Sequence, residues 1–307
     1  MIQRLDQRSL DIDPSEILGF ARVRNENLRL PWCLDFHRGL GVNRFFVVDN
    51  NSSDGSADYL LTRDDTHVFW TDASYAESRG GLDWINPLLR QFGTSHWTVT
   101  FDADELTIYP GFEHVGLHQL TRYLDREGAT ALSCMMIDMY SDGPIEKARY
   151  ERGQDFLEVC PFFDSEPIEG MRGGARERLF WRGRDRDSRA PVLRKTPLVC
   201  WRSDLQFAVS THTIAGIALA RISGAILHFK MFHDFRTKVQ AGVREKQYWD
   251  GSKQYTAYLA GIDDNPGLTA LYDRSARLRD STQLVELGLM STTAEYETWL
   301  SSVRHEA

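Results

Sequence analysis

The segment Val99-Thr100-Phe101-Asp102-Ala103-Asp104-Glu105 sets two carboxylates two residues apart behind an apolar run. Alternate residues of an extended chain share a face, so Asp102 and Asp104 can converge on one ion, or on an ion and a ribose. Hard divalent cations take oxygen ligands, and Mg²⁺ commonly binds one or two carboxylates plus substrate phosphates. A second chemistry-bearing set is basic. Between 172 and 195 the chain carries nine Lys or Arg against three acids. Residues 182–189, RGRDRDSR, alternate in sign and have nothing apolar to bury. They are expected to form a solvated, mobile loop. Arg176, Arg178 and Lys195 are flanked by apolar residues and read either as solvated charges or as anion binders, since Arg offers phosphate a bidentate fork.

Something must carry these residues to one place. Short β-type runs at 17–23, 44–48, 67–70, 96–101 and 129–140 alternate with helical stretches at 27–40, 57–62, 82–92 and 115–127. In 82–92 the spacing of Leu82, Ile85, Leu88, Leu89 and Phe92 is helical. Alternation of this kind predicts an α/β fold with a mostly parallel sheet flanked by helices. Ligands of such sheets bind beyond the carboxyl ends of the strands. Asp49 and Asp102 both close predicted strands, so both should face one crevice. The alternative for Asp49 is that it starts an Asx-type turn. After a further β-type run at 222–229 the chain reads as helical, with candidates at 236–249, 253–260, 268–278 and 293–304.

Composition bounds the function. In 307 residues, 42% are hydrophobic and 11% aromatic, enough for a large core. Thirty-six basic against 44 acidic residues leave −8, a poor footprint for a nucleic-acid binder. Cys33, Cys134, Cys160 and Cys200 are scattered with no CxxC, which argues against a zinc ribbon or a disulfide scaffold. No stretch approaches the roughly 18 apolar residues of a membrane span. The polar, acidic start does not resemble a secretory signal. The expectation is a cytoplasmic protein, with peripheral contact to a membrane left open.

Taken in order, several segments resemble a GT-A glycosyltransferase of the family 2 type, in a bacterial branch with DADE and HFK motifs. They are Val23-Arg24-Asn25-Glu26, Phe46-Val47-Val48-Asp49-Asn50-Asn51-Ser52-Ser53-Asp54-Gly55-Ser56, Asp102-Ala103-Asp104-Glu105, Ile137-Asp138-Met139-Tyr140, Lys195-Thr196-Pro197-Leu198 and Leu227-His228-Phe229-Lys230. The resemblance implies a GT-A domain over 1–235, with a nucleotide-binding half at 15–135 and an acceptor half at 136–235. A helical extension would follow at 236–307. It implies transfer of a sugar from a nucleoside-diphosphate sugar, a uridine diphosphate sugar being the family's usual donor. The acceptor would be a saccharide or a lipid-linked saccharide, and Mn²⁺ or Mg²⁺ would assist.

Residue by residue, the resemblance places Asp49 against the nucleotide base, with Arg24, Asn25 and Glu26 lining that pocket. Asp102 would contact ribose or metal, Asp104 the metal, and His228 would add a ligand; a packed, hydrogen-bonded histidine is the plainer reading of His228. Arg176, Arg178 and Lys195 would help hold the donor diphosphate. An inverting displacement needs a general base. The candidates are Glu169, before a glycine-rich stretch, and Asp138; His212 is a candidate of the acceptor site. The second strand ends in Asp49-Asn50 rather than two acids, and no QxxRW segment is present. Trp84, Trp97, Trp181 and Trp201 are either core residues or sugar-stacking platforms. Three rivals remain on sequence. An aspartate-nucleophile phosphohydrolase fits poorly, because Glu105-Leu106 follow Asp104 where that signature needs Thr or Val. A nucleotidyltransferase lacks its glycine-rich loop here. The third is a non-catalytic nucleotide- or sugar-binding homologue.

Overall fold

The computed structural model describes residues 2–168, 170, 172–181 and 190–304. Glu169 and the stretch 182–189 lie outside the described residues. The strands are β1 (Gln3–Arg4), β2 (Leu18–Val23), β3 (Arg44–Asp49), β4 (Thr66–Trp70), β5 (Trp97–Phe101), β6 (Glu105–Ile108), β7 (Ala131–Asp138), β8 (Phe162–Asp164), β9 (Arg194–Cys200), β10 (Gly224–His228) and β11 (Ser275–Arg277). The helices are α1 (Leu30–Gly39), α2 (Ser56–Leu61), α3 (Leu82–Leu88), α4 (Leu117–Glu127), α5 (Phe156–Val159), α6 (Gly174–Phe180), α7 (Phe235–Glu245), α8 (Trp249–Asp264), α9 (Ser281–Glu286) and α10 (Ala294–Arg304).

The chain is a mixed α/β protein built on one nine-stranded sheet, in the order β1-β4-β3-β2-β5-β9-β7-β10-β6. β4, β3, β2, β5, β7 and β10 run one way; β1, β9 and β6 run the other. The sheet is buried on both faces, and the period-two pattern shows how. Phe45 and Val47 of β3 enter one core with Leu30, Cys33 and Leu34 of α1. Phe46 and Val48 enter the other, with Leu82, Ile85 and Leu88 of α3. A third cluster joins Phe180 of α6 to Phe235 and Val239 of α7 and Tyr258 of α8.

Four local readings change. The expected helix at 82–92 is α-helical only to Leu88 and then passes into a π-helical turn, Leu89–Gly93. Pro87, just upstream, has no N–H to give the preceding turn. Residues 268–278 are not a helix; β11 pairs antiparallel with β8, Ala276 opposite Phe163. The free side of β8 offers those residues a ladder, and tertiary pairing overrides local pattern. Within the basic stretch, 174–180 form α6 and 194–200 form the central strand β9. Glu105, read as the end of a strand, opens the new strand β6.

Where β10 is wedged between β7 and β6, only glycine fits. A Cβ on Gly224 would lie 2.4 Å from the Ile108 carbonyl oxygen and 2.8 Å from Cys134 Sγ. Gly224→Ala should therefore destabilise the fold by about 1–3 kcal/mol, the usual cost of overpacking. A urea titration with a lowered midpoint and an unchanged slope checks this.

Candidate active site at the carboxyl edge of the sheet

The same-direction strands end along one edge. Asp49 closes β3, Asp102 follows β5, Asp138 closes β7 and His228 closes β10. β9 runs the other way, so its first residues, Arg194 and Lys195, start at the same edge.

At the β2–β3 end, two loops brace each other. Asn25 and Asn51 adopt left-handed backbone (φ 55° each), which asparagine tolerates better than most residues. The Asn25 N–H donates to Ser52 Oγ (2.9 Å), and Asn25 Oδ1 accepts from the Ser53 N–H (2.8 Å). The side chain of Asn25 is thus spent on the loop. Arg24 reaches the Asn50 carbonyl (3.3 Å) and Glu245 (3.4 Å). Glu26 pairs with Lys238 and lies 3.6 Å from Arg29. Arg29, fully buried, holds both carboxylate oxygens of Asp234 at 2.7 Å and so ties the start of α1 to α7. Asp49 combines both of its sequence readings. Its Oδ1 accepts the Ser52 N–H (2.9 Å), as a turn residue would. Its Oδ2 is sealed from solvent with no protein partner among the described residues. Burial raises its carboxyl above the ordinary range, against the hydrogen bonds from Ser52.

The middle of the edge is a charge network. Lys195, with no solvent access, places Nζ 2.6 Å from Glu105 Oε2 and 3.2 Å from Asp102 Oδ2. Arg22 Nη2 takes the other oxygen of Asp102 at 3.3 Å, and Arg22 Nη1 donates to the Gly80 carbonyl (2.8 Å). Burial opposes the charge on Asp102, but Lys195 and Arg22 outweigh it and hold the carboxyl well below the usual range. Burial pushes Glu105 up against the pull of Lys195, and its acidic neighbours Asp102 and Asp104 add to the rise. Lys195 keeps its proton: burial lowers it, and the two carboxylates more than compensate.

Further along, strand register builds a relay. His228 sits opposite Glu105 on one side and Asp138 on the other. Its Nδ1 lies 2.8 Å from Asp138 Oδ1, and its Nε2 lies 3.5 Å from Asp104 Oδ2. Asp138 is clamped from behind by Arg176, whose Nε is 2.6 Å from Oδ1 and whose backbone N–H donates to Oδ2 (3.1 Å). Lys230 Nζ also reaches Asp104 Oδ2, at 3.5 Å. Burial works against ionising Asp104 and Asp138, yet the first is held far down by Lys230 and His228 and the second by Arg176 and His228.

The structure thus gathers Asp102, Asp104, Asp138, Arg176, Lys195 and His228 into one connected set. Asp138 lies between the Arg176 guanidinium on one side and the His228 imidazole on the other. Arg178 is elsewhere, clamped to Asp164 (2.8 Å) and lying 3.9 Å from the Tyr272 ring centroid. His212 lines a neighbouring cleft. Trp84, Trp97, Trp181 and Trp201 are all buried core residues. Among the described residues, no three His, Cys, Asp or Glu cluster tightly enough to make a metal centre by themselves. Sequence reasoning passed over Arg22, Glu105 and Lys230. The last two stood inside quoted motifs, DADE and HFK. Arg22 carried no signal beyond being a charge in an apolar strand.

No family model matches the chain, and no curated protein matches it. Among solved structures it is similar to S. aureus TarS 1–349, at TM-score 0.34 and 9% identity over 82% of this chain and 72% of that one. It is also similar to 4-diphosphocytidyl-2C-methyl-D-erythritol synthase (TM-score 0.28, 13% identity, 93% and 98%). A third is UTP-bound UGPase from Acinetobacter baumannii (0.29, 7%, 95% and 96%). No helix among the described residues is long and apolar enough to cross a membrane.

Removing Lys195 should be costly, because it strands the buried Glu105 carboxylate and leaves Asp102 with Arg22 alone. Lys195→Met is expected to lose about 3–5 kcal/mol of stability. Adding Glu105→Gln to it should restore part of the loss, since the double variant buries one charge fewer. Chemical denaturation of the wild type and the three variants measures the coupling.

Proposed function

We propose that this chain is a GT-A-type glycosyltransferase that moves a sugar from a nucleoside-diphosphate sugar, most simply a uridine diphosphate sugar, to a hydroxyl acceptor. The observation that carries the reading is a buried, unpartnered carboxylate oxygen at one end of the sheet edge and a carboxylate facing an imidazole at the other. Asp49 keeps a buried, unpartnered carboxylate oxygen, and buried acceptors without partners are rare and costly. In the Asp49 role that the family resemblance implies, the N–H of a nucleotide base would take that oxygen once the groups covering it move aside, since Asp49 is fully buried. At the other end, the Asp138 carboxylate can only accept, so the His228 nitrogen beside it carries the proton. Its Nε2 faces Asp104 Oδ2 at 3.5 Å, and Lys230 Nζ stands 3.5 Å from that same oxygen. A carboxylate and an imidazole placed this way can share a divalent cation.

Those residues fit a divalent ion. One carboxylate and one imidazole, with the imidazole oriented by a further carboxylate, form a known metal-site arrangement, and substrate phosphates complete it. Asp104 and His228 would hold Mn²⁺ or Mg²⁺, which when bound offsets the charge growing on the leaving diphosphate. Lys230 stands beside Asp104 and Lys195 beside Asp102, and both add fixed positive charge to this edge. Asp102, already neutralised by Arg22 and Lys195, is left to face the ribose. Arg176 acts through Asp138 and not on phosphate, and Arg178 acts on the fold. The acceptor is taken to be a saccharide, free or lipid-linked; a net charge of −8 speaks against nucleic acid.

Two experiments test this. Calorimetry with uridine diphosphate should give much tighter binding with Mn²⁺ than with chelator, and Asp49→Ala should weaken it about 10–150-fold with or without metal, the worth of one hydrogen bond to a charged group. Equal affinity with and without metal would remove the metal from the account. In the second, Asp138→Asn should lower the Mn²⁺ affinity of the nucleotide complex about 10–100-fold. Asp104→Asn and His228→Ala should each abolish most Mn²⁺ binding and together cost far less than their sum. A His228→Ala variant that melts early but binds Mn²⁺ normally would make His228 a packing residue.

A further inference from the structure

The donor reading leaves the acceptor site and the base unassigned. A cleft of about 400 Å³ opens beside the loop that follows β9. Its lining is mixed: Ser133 of β7 and Thr196 of β9 bring hydroxyls, and Ile217 and Leu219 bring apolar surface. A sugar ring presents that same pair of surfaces, hydroxyls at its rim and C–H groups on its face, and such concave, mixed linings are what small ligands occupy.

His212 lines this cleft and its hydrogen bonding fixes its chemistry. Nδ1 lies 3.2 Å from the Arg194 carbonyl oxygen. A carbonyl only accepts, so Nδ1 carries the ring proton and Nε2 is left as a bare lone pair. No described residue bonds Nε2. The loop is anchored to the donor edge one residue earlier. Thr211 is buried and accepts from Arg22 Nη2 (3.3 Å), the same nitrogen that holds Asp102 Oδ1. The charged groups around the imidazole are Lys195, Asp102 and Arg176. Burial first and Lys195 second push it down to about 4, against the pull of Asp102 and the Arg194 carbonyl. It is therefore neutral at pH 7.

We propose that His212 is the general base of the transfer and that this cleft receives the acceptor, a saccharide offering a free hydroxyl. The proposal rests on the glycosyl-transfer reading above. In the step, the acceptor O–H proton passes to His212 Nε2 as the oxygen bonds to the sugar C1. The C1–O bond to the diphosphate breaks, and its electron pair leaves with the nucleoside diphosphate. The imidazolium then returns its proton to water. Arrival of the negatively charged donor opposite Lys195 raises the basicity of His212 towards the range where a base works well at neutral pH.

The test uses uridine diphosphate, and three uridine diphosphate sugars (glucose, galactose, N-acetylglucosamine) whose slow hydrolysis takes water as acceptor, all with Mg²⁺. His212→Ala should bind uridine diphosphate as the wild type does, hydrolyse the sugars about 10²–10⁴-fold more slowly, and regain rate with free imidazole. Imidazole ¹⁵N spectra of the wild type should show the proton on Nδ1 at pH 7, and a higher titration midpoint when uridine diphosphate binds. If the nucleotide binds but His212→Ala hydrolyses at the wild-type rate, the base assignment is overturned and the donor reading stands. A proton on Nε2 overturns it equally, whether or not hydrolysis is measurable. If the wild type binds no uridine diphosphate, the donor reading fails and takes the base with it.

Discussion

An ammonium group with no access to water holds the working edge of this protein together. Lys195 sits between Glu105 and Asp102 with zero side-chain exposure. Burying one ion costs several kcal/mol, repaid only when partners are close and well aimed. Here one cation meets two carboxylates, and Arg22 takes the remaining oxygen of Asp102. The same logic extends outward, with Lys230 and His228 on Asp104 and Arg176 on Asp138. Four carboxylates, Asp102, Asp104, Glu105 and Asp138, thus face four permanent cations, Arg22, Lys195, Lys230 and Arg176. The edge is close to neutral before any ligand arrives. A divalent ion bound there would leave a positive surplus, which is what a diphosphate seeks.

Topology makes this network cheap to assemble. Six strands share a direction, so their last residues come to one side of the sheet without any long excursion of the chain. β9 enters the middle of the sheet in the opposite sense and brings Lys195 to the same side. The pairing of β10 with both β6 and β7 fixes His228 beside Glu105 and Asp138 by register alone. Outside the sheet, the buried Arg29–Asp234 pair fastens α7 to the start of α1, next to the loop that carries Glu26. Groups held this way keep their geometry when a ligand comes and goes.

Much of this was legible in the amino-acid sequence, and the illegible part has physical reasons. The strands ending at Asp49 and Asp102 showed as apolar, β-branched runs closed by turn residues, and both residues lie where that pattern put them. The helix beginning at Leu82 followed from its spacing as far as Leu88. β9 was hidden because Arg194 and Lys195 made it look like part of a solvated basic loop; the carboxylates that pair Lys195 are 93 and 90 residues away, and no local window contains them. β11 exists because β8 offers it a ladder, a fact of tertiary structure. Arg176 illustrates the limit for sites. Its type and flanks suggested phosphate, but a carboxylate 38 residues upstream in the chain, Asp138, claims it. Asp138 suggested a base; in the structure Arg176 and His228 both bond its carboxyl and hold it well below the usual carboxylate range.

The central claim is that Asp49 at one end of the edge and Asp104 with His228 at the other serve a single nucleoside diphosphate. A crystal structure with uridine diphosphate and Mn²⁺ tests it most directly. The account predicts the base N–H within hydrogen-bonding distance of Asp49 Oδ2, and manganese density bonded to Asp104, His228 Nε2 and the diphosphate oxygens. A nucleotide bound away from Asp49, or manganese bound without His228 and Asp104, would contradict it.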